Sequence, residues 1–283
     1  MNKVPLRVIK GNARPFEPFW NFVDAASSES GEVELEFFGP ISEYSWSEDG
    51  ISPQRLSDDL KEKGAGRPIR LKINSPGGEA FAAQAIRSIL RDYTGKVTAD
   101  IIGLAASAAT IVVTGADFIE MRQGAMFMVH DPWTCICGSA EEMRKNADVL
   151  DSIKESILAI YQKRTQKSHD ELSKMMTDET WLTADQAKEA GFVDVVTDGY
   201  KSQARNSIPK NSRVGFLNCL RGYQHLPDEI KNEYLANDQD PITENEAGKK
   251  DSNVPVEKPS SGPEPVANAL EVKRLGDFLE VFG

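Results

Sequence analysis

Residues 68–110 read PIRLKINSPGGEAFAAQAIRSILRDYTGKVTADIIGLAASAAT. This stretch constrains the fold more than any other in the chain. "PIRLKIN" (68–74) alternates apolar and polar residues, the period of a half-buried strand. "SPGG" (75–78) stops it, because proline fixes one backbone angle and the two glycines open conformations closed to other residues. "EAFAAQAIRSILRDY" (79–93) then carries helix formers, with Phe81, Ala85 and Ile89 spaced for one helical face. "KVTADIIG" (96–103) is a second strand, followed by small residues that suit a helix start. A strand, a helix and a strand joined by such short turns make a parallel pair with a crossover helix.

The flanking sequence extends the same theme. Residues 32–38 alternate as a strand, and residues 52–64 read as a helix with Pro53 near its start and Gly64 at its end. "DFIEM" and "AMFMVH", within 117–130, read as two more strands. A long helix is expected over about 139–166. Ser168 with Glu171, and Thr183 with Gln186, have capping-box spacing. "AGFVDVV" (190–196) ends a helix at Gly191 and enters a last strand. The expected class is α/β, a mainly parallel sheet covered by helices.

The chain has 283 residues, 40% of them apolar, and a net charge of −11. The acidic balance argues against nucleic acid as a partner, since phosphate binding needs a basic surface. No stretch approaches the ~20 apolar residues of a membrane span, and "MNKVPLRVIKGNARPF" at the N-terminus lacks the apolar core of a signal peptide. Three cysteines, Cys135, Cys137 and Cys219, make no disulfide framework and suit a reducing, cytoplasmic compartment. Cys135-x-Cys137 has only His130 as a further local ligand, so no metal is expected. Composition changes near residue 200. From Asn237 to Val266 there is no aromatic residue, and this Pro- and acid-rich stretch reads as a disordered linker. Leu275, Phe278, Leu279 and Phe282 then mark one face of a short amphipathic segment, which either docks on the body or binds a partner.

Three readings of chemistry follow. Ser107, on a strand-to-helix turn, is either a small residue for close packing or a nucleophile. Of the three histidines, His169 neighbours Asp170 and Glu171 as a surface residue would, and His225 lies after the core elements. His130 ends a strand of a parallel sheet, where active sites gather, although a loop imidazole bonded to a carbonyl reads the same way. The Gly77–Gly78 pair before a helix either forms a tight turn or presents free N–H groups to an oxyanion.

Together, "INSPGGEAFAAQAI", "GLAASAAT", "MVHDPW" and "ETWLTADQAKEAGFVD" resemble the ClpP-type serine peptidases (S14-like), and especially their phage prohead, or head maturation, protease branch. The resemblance covers roughly residues 30–200. It implies a ClpP/crotonase-like spiral of βαβ units with a long handle helix at 139–166, and composition adds a largely disordered C-terminal tail. With the composition change near residue 200, the expected division is 1–30 N-terminal segment, 31–200 protease domain, 201–236 extension, 237–266 linker and 267–283 amphipathic segment. The resemblance makes Ser107 the nucleophile and His130 the general base. It gives the oxyanion to the Gly78 and Ala108 N–H groups, with Gly77 lining the substrate site. The family acid is usually an aspartate two residues before an aromatic. Here Trp181 is that aromatic, so the position holds Glu179, with Asp178 as the alternative.

The resemblance further implies a homo-oligomeric ring, no cofactor, and capsid or scaffold proteins as substrates during head maturation. The extra tail favours the phage branch over a housekeeping Clp-like peptidase that works with an unfoldase. Two other classes stand beside it: a crotonase-fold enzyme acting on acyl thioesters, and an inactive scaffold protein.

Overall fold

In the computed structural model, eight strands form one sheet whose central strand is shared by two branches. The structure describes residues 20–23, 31–41, 53–198 and 210–235. All of them belong to one compact unit, Met1–Gln239. The linker and amphipathic segment expected at 237–266 and 267–283, and most of the N-terminal segment, lie outside the described residues.

The strands are β1 (Trp20–Val23), β2 (Val33–Phe38), β3 (Ile69–Ser75), β4 (Val97–Ala106), β5 (Phe118–Arg122), β6 (Met126–Val129), β7 (Thr180–Thr183) and β8 (Val195–Thr197). The main order is β1-β2-β3-β4-β5-β8, and every pair in it is parallel except β1 with β2. β4 is long enough to serve two neighbours. Thr98–Ile101 pairs with β5, and Leu104–Ala106 pairs with β6. β7 then adds antiparallel to β6. The branch matters because β4 and β6 lead directly into Ser107 and His130.

The helices are α1 (Pro53–Asp59, continuing as a π turn over Leu60–Gly64), α2 (Ala80–Asp92), α3 (Ala108–Val113), α4 (Ala140–Thr165), α5 (His169–Thr177), α6 (Ala184–Glu189), α7 (Lys210–Arg221) and α8 (Asp228–Ile230, followed by a π turn over Lys231–Leu235). One sheet face carries Leu35, Phe37, Leu71, Ile73, Ala99, Ile101, Ile119 and Met121, all buried. α2 and α3 contribute to the same core. Burial of this face is the main stabilising term, at about 25 cal/mol per Å² of apolar surface. The opposite face is charged. Arg70 bridges Glu32 (3.1 Å) and Glu120 (2.9 Å), Arg122 holds the buried Asp100 (2.6 Å), and Lys72 meets Glu34 (2.7 Å).

The face expected on α2 is corrected. Its buried residues are Ala82, Ala83, Ile86 and Leu90, while Phe81 is 61% exposed. The core row is one position, or about 100°, from the expected one. Small residues at 82 and 83 bring the helix close to its neighbours, and Phe81 in the first turn points away. Two caps stand as their sequence spacing predicts, at Ser168 and Thr183, and a third capping box, at Ser139, opens α4. Only Ile157, Leu158 and Tyr161 of the 26 residues of α4 are buried.

A second core forms beneath the extension. Phe216, Leu217, Leu220, Leu226, Ile230 and Tyr234 pack on Leu104 and Ala106 of β4 and Met128 of β6. The segment 210–235 is therefore folded onto the ends of the two strands that carry Ser107 and His130.

Candidate active site

Ser107 sits between β4 and α3 with φ 55° and ψ −126°. That backbone is costly for a residue with a Cβ, about 1–3 kcal/mol, and persists only where the surroundings impose it. They do so here. The Ser107 N–H donates to the Met128 carbonyl (2.9 Å), tying the turn to β6. The Ser107 carbonyl accepts from Thr110 N (2.9 Å) and Thr110 Oγ1 (2.5 Å). Thr110 spends its one hydroxyl proton there, so the buried Tyr161 hydroxyl donates to Thr110 Oγ1 (2.6 Å). α4 thus reaches the Ser107 turn through one hydroxyl relay.

The glycine turn between β3 and α2 lies against it. Gly77 (φ 92°) and Gly78 (φ 142°) both take conformations that favour glycine. A Cβ at Gly77 would stand 2.6 Å from the Ala106 carbonyl and 2.7 Å from Ser107 Cβ. A Cβ at Gly78 would collide with the Ile41 carbonyl. Ile41 pins the turn from its other side: its N–H donates to Gly77 O (2.7 Å) and its carbonyl accepts from Glu79 N (3.0 Å). Among the described residues, neither Gly78 N–H nor Ala108 N–H has an acceptor. Two uncommitted backbone donors beside a hydroxyl can hold a developing oxyanion.

His130 follows β6, and its Nε2 is 2.7 Å from Ser107 Oγ. Burial pushes its pKa below the usual value, against the pull of Glu179 and Asp131. A neutral imidazole at this distance can take the hydroxyl proton. Asp131 is itself engaged by Lys154 (2.9 Å) and Thr177 (3.0 Å).

The two candidate acids have different settings. Asp178 is half-exposed and pairs with Lys174 (2.5 Å). Glu179 lies in the turn before β7 with φ 48°. Its carboxylate accepts from Trp181 Nε1 (3.2 Å), Gln224 N (2.9 Å) and His225 N (2.7 Å). It is close enough to raise the pKa of His130 by its charge, yet none of its hydrogen bonds among the described residues goes to that ring.

The structure thus brings Ser107, His130, Gly77, Gly78 and Ala108 together, with Glu179 nearby. The extension brings residues that the sequence reading does not single out. Tyr223 stands edge-on to His130 (5.3 Å between ring centres) and to Trp181 (5.6 Å). Its hydroxyl donates to the Pro76 carbonyl. The signal was present in Phe216, Leu217, Leu220 and Tyr223, spaced i, i+1, i+4, i+7. An open cleft of about 360 Å³ remains between His130, Pro132, Trp133, Met176 and Gln224. His169 is exposed and paired with Glu155 (3.0 Å), and it takes no part in this chemistry. Cys135 and Cys137 are exposed. Among the described residues no cluster of ligands is arranged for a metal ion, and no helix is long and apolar enough to cross a membrane.

Comparison with known proteins follows the same lines. The ATP-dependent Clp protease proteolytic subunit 1 of Chlamydia abortus is 32% identical over 135 residues, covering 46% of this chain and 69% of that protein. The subunit of the same name from Salinibacter ruber is 26% identical over 157 residues, 55% of this chain and 67% of that one. A solved point mutant of ClpP1 from Listeria monocytogenes superposes with a TM-score of 0.49 and 21% identity, over 59% of this chain and 91% of that one. The sequence profile described as Clp protease matches residues 58–199, half of the chain, and the chain therefore belongs to the Clp protease family.

Proposed function

We propose that the chain is a serine endopeptidase in which Ser107 is the nucleophile, His130 the general base and Glu179 the acid that supports it. The family is one of serine peptidases, which are hydrolases. The observation that carries the assignment of residues is the 2.7 Å contact of His130 Nε2 with a Ser107 held at positive φ. His130 takes the hydroxyl proton as Ser107 Oγ attacks a peptide carbonyl carbon. The carbonyl oxygen becomes an oxyanion held by Gly78 and Ala108 N–H. His130 returns the proton to the leaving amine, and an acyl-enzyme remains. Water, deprotonated by the same imidazole, attacks the ester, and Ser107 recovers its proton. Removing one oxyanion donor costs ~10²–10³ in rate. The exposed ion pair of Asp178 with Lys174 favours Glu179 as the acid. No step calls for a metal or nucleotide.

The finer reading gives it capsid and scaffold proteins as substrates, within a homo-oligomeric ring, during phage head maturation. The folded extension after residue 200 supports this branch. The names of its relatives, proteolytic subunits of an ATP-dependent protease, support the alternative of a housekeeping subunit. Co-expression with the candidate capsid protein separates them. Wild type should shorten the capsid protein and Ser107→Ala should leave it intact. An intact capsid protein beside a wild-type enzyme that still degrades casein would remove the head-maturation reading and keep the peptidase.

A further inference from the structure

We propose that the extension is a latch on this site: residues 222–225 hold it in a latent state, and hydrolysis requires them to lift. The inference rests on the serine peptidase reading above. Its first support is the seat. Phe216, Leu217, Leu220, Leu226, Ile230 and Tyr234 bury a second core on Leu104, Ala106 and Met128. Tyr234 also reaches Asn74, just before the glycine turn (3.4 Å). The extension is thus fixed by packing on the strands that end in the site.

The second support is the place that Tyr223 fills. The Tyr223 hydroxyl has one hydrogen and gives it to the Pro76 carbonyl. The Tyr223 ring stands edge-on to His130, 5.3 Å between ring centres. His130 Nε2 is 2.7 Å from Ser107 Oγ, so the ring packs against the imidazole that must take the Ser107 proton. The phenol hydroxyl thus sits on the carbonyl that precedes Gly77 and Gly78, where a scissile carbonyl must come to meet its two N–H donors. Peptide and Tyr223 hydroxyl cannot share that place.

The third support is the acid. Two of the three N–H donors on Glu179 belong to Gln224 and His225. With the latch seated, the carboxylate is held off the imidazole. When the latch lifts, those two bonds go with it, and Glu179 is left with Trp181 alone and is able to turn to His130.

The test uses the full chain and a fluorophosphonate, which forms a bond to an activated serine oxygen with loss of fluoride. The rate of labelling at Ser107, located by mass spectrometry, is compared among wild type, Tyr223→Ala and Tyr223→Phe, with Ser107→Ala as the blank. Tyr223→Ala should label about tenfold faster or more, the worth of the one hydrogen bond that holds Tyr223 on the site and the space of a ring. Tyr223→Phe keeps the ring against His130 and Trp181 and should fall between. It carries the test if circular dichroism shows the alanine variant unfolded. A gain in rate cannot come from mere damage to the fold. Folded variants that label at the wild-type rate or slower would overturn the latch while leaving the peptidase standing. No label at Ser107 in any chain would overturn both.

Discussion

The histidine beside Ser107 is buried, and burial disfavours its charged form. A general base must be neutral to act. Its pKa lies below the ordinary 6.5, so His130 is neutral at neutral pH, the form that the proposed base needs. kcat/KM for a peptide should therefore be flat above neutrality and fall as pH drops through a midpoint below 6.5. Glu179 pulls the other way, because its charge stabilises the imidazolium. Glu179→Gln removes that pull and should move the midpoint further down as well as lowering the rate. Measuring the acid limb of the pH profile for both proteins checks the sign. A midpoint that rises in Glu179→Gln would mean that Glu179 does not act on His130 by its charge.

At the scale of elements, α3 holds Ser107 in its strained turn, and α4 holds α3. The link is the Tyr161–Thr110–Ser107 carbonyl relay. Thr110→Ala removes two hydrogen bonds and leaves the Tyr161 hydroxyl buried without a partner, which costs about 1–3 kcal/mol. Tyr161→Phe removes the donor and its own need together, and Thr110 keeps its bond to Ser107, so about 0.5–1.5 kcal/mol is expected. Denaturant unfolding of both variants should rank them in that order; equal losses would show that the relay does not act as a chain. The elements themselves were legible where local chemistry writes them. Alternation gave β2 and β3, the SPGG break gave the turn before α2, and S-x-x-E and T-x-x-Q spacing gave the caps. What was not legible is tertiary. Which row of α2 is buried depends on the surface that the helix meets, and β7 is four residues long with no period of its own. Ser107 and His130 could be paired from four matching blocks. Tyr223 could not, because it lies beyond those blocks and meets the site only after the extension folds back.

At the scale of the molecule, α4 asks for a partner. Its buried residues, Ile157, Leu158 and Tyr161, all lie in its last third, Ile153 and Lys154 touch the body just before them, and residues 140–149 are almost wholly exposed. Met143 and Val149 among these are 47% and 53% exposed. Among the described residues the chain offers them no cover. The exposed half of such a helix gains little from its own propensity, since most helical stability comes from packing. A second copy of the chain is the cover that the proposed ring supplies. Each extra copy would then add burial along α4 without altering Ser107 or His130, which are fixed by β4, β6 and α3. The expected outcome is a wild-type mass several times 31.2 kDa at micromolar concentration. The double variant Met143→Glu, Val149→Glu should shift toward the single-chain mass by mass photometry, because two buried charges in each interface go unpaired. Its circular dichroism spectrum should match that of wild type, as both side chains are exposed in the lone chain. A wild type that is a single chain at these concentrations would remove the ring. A double variant that stays assembled would move the joint away from α4 and leave its exposed turns to another partner.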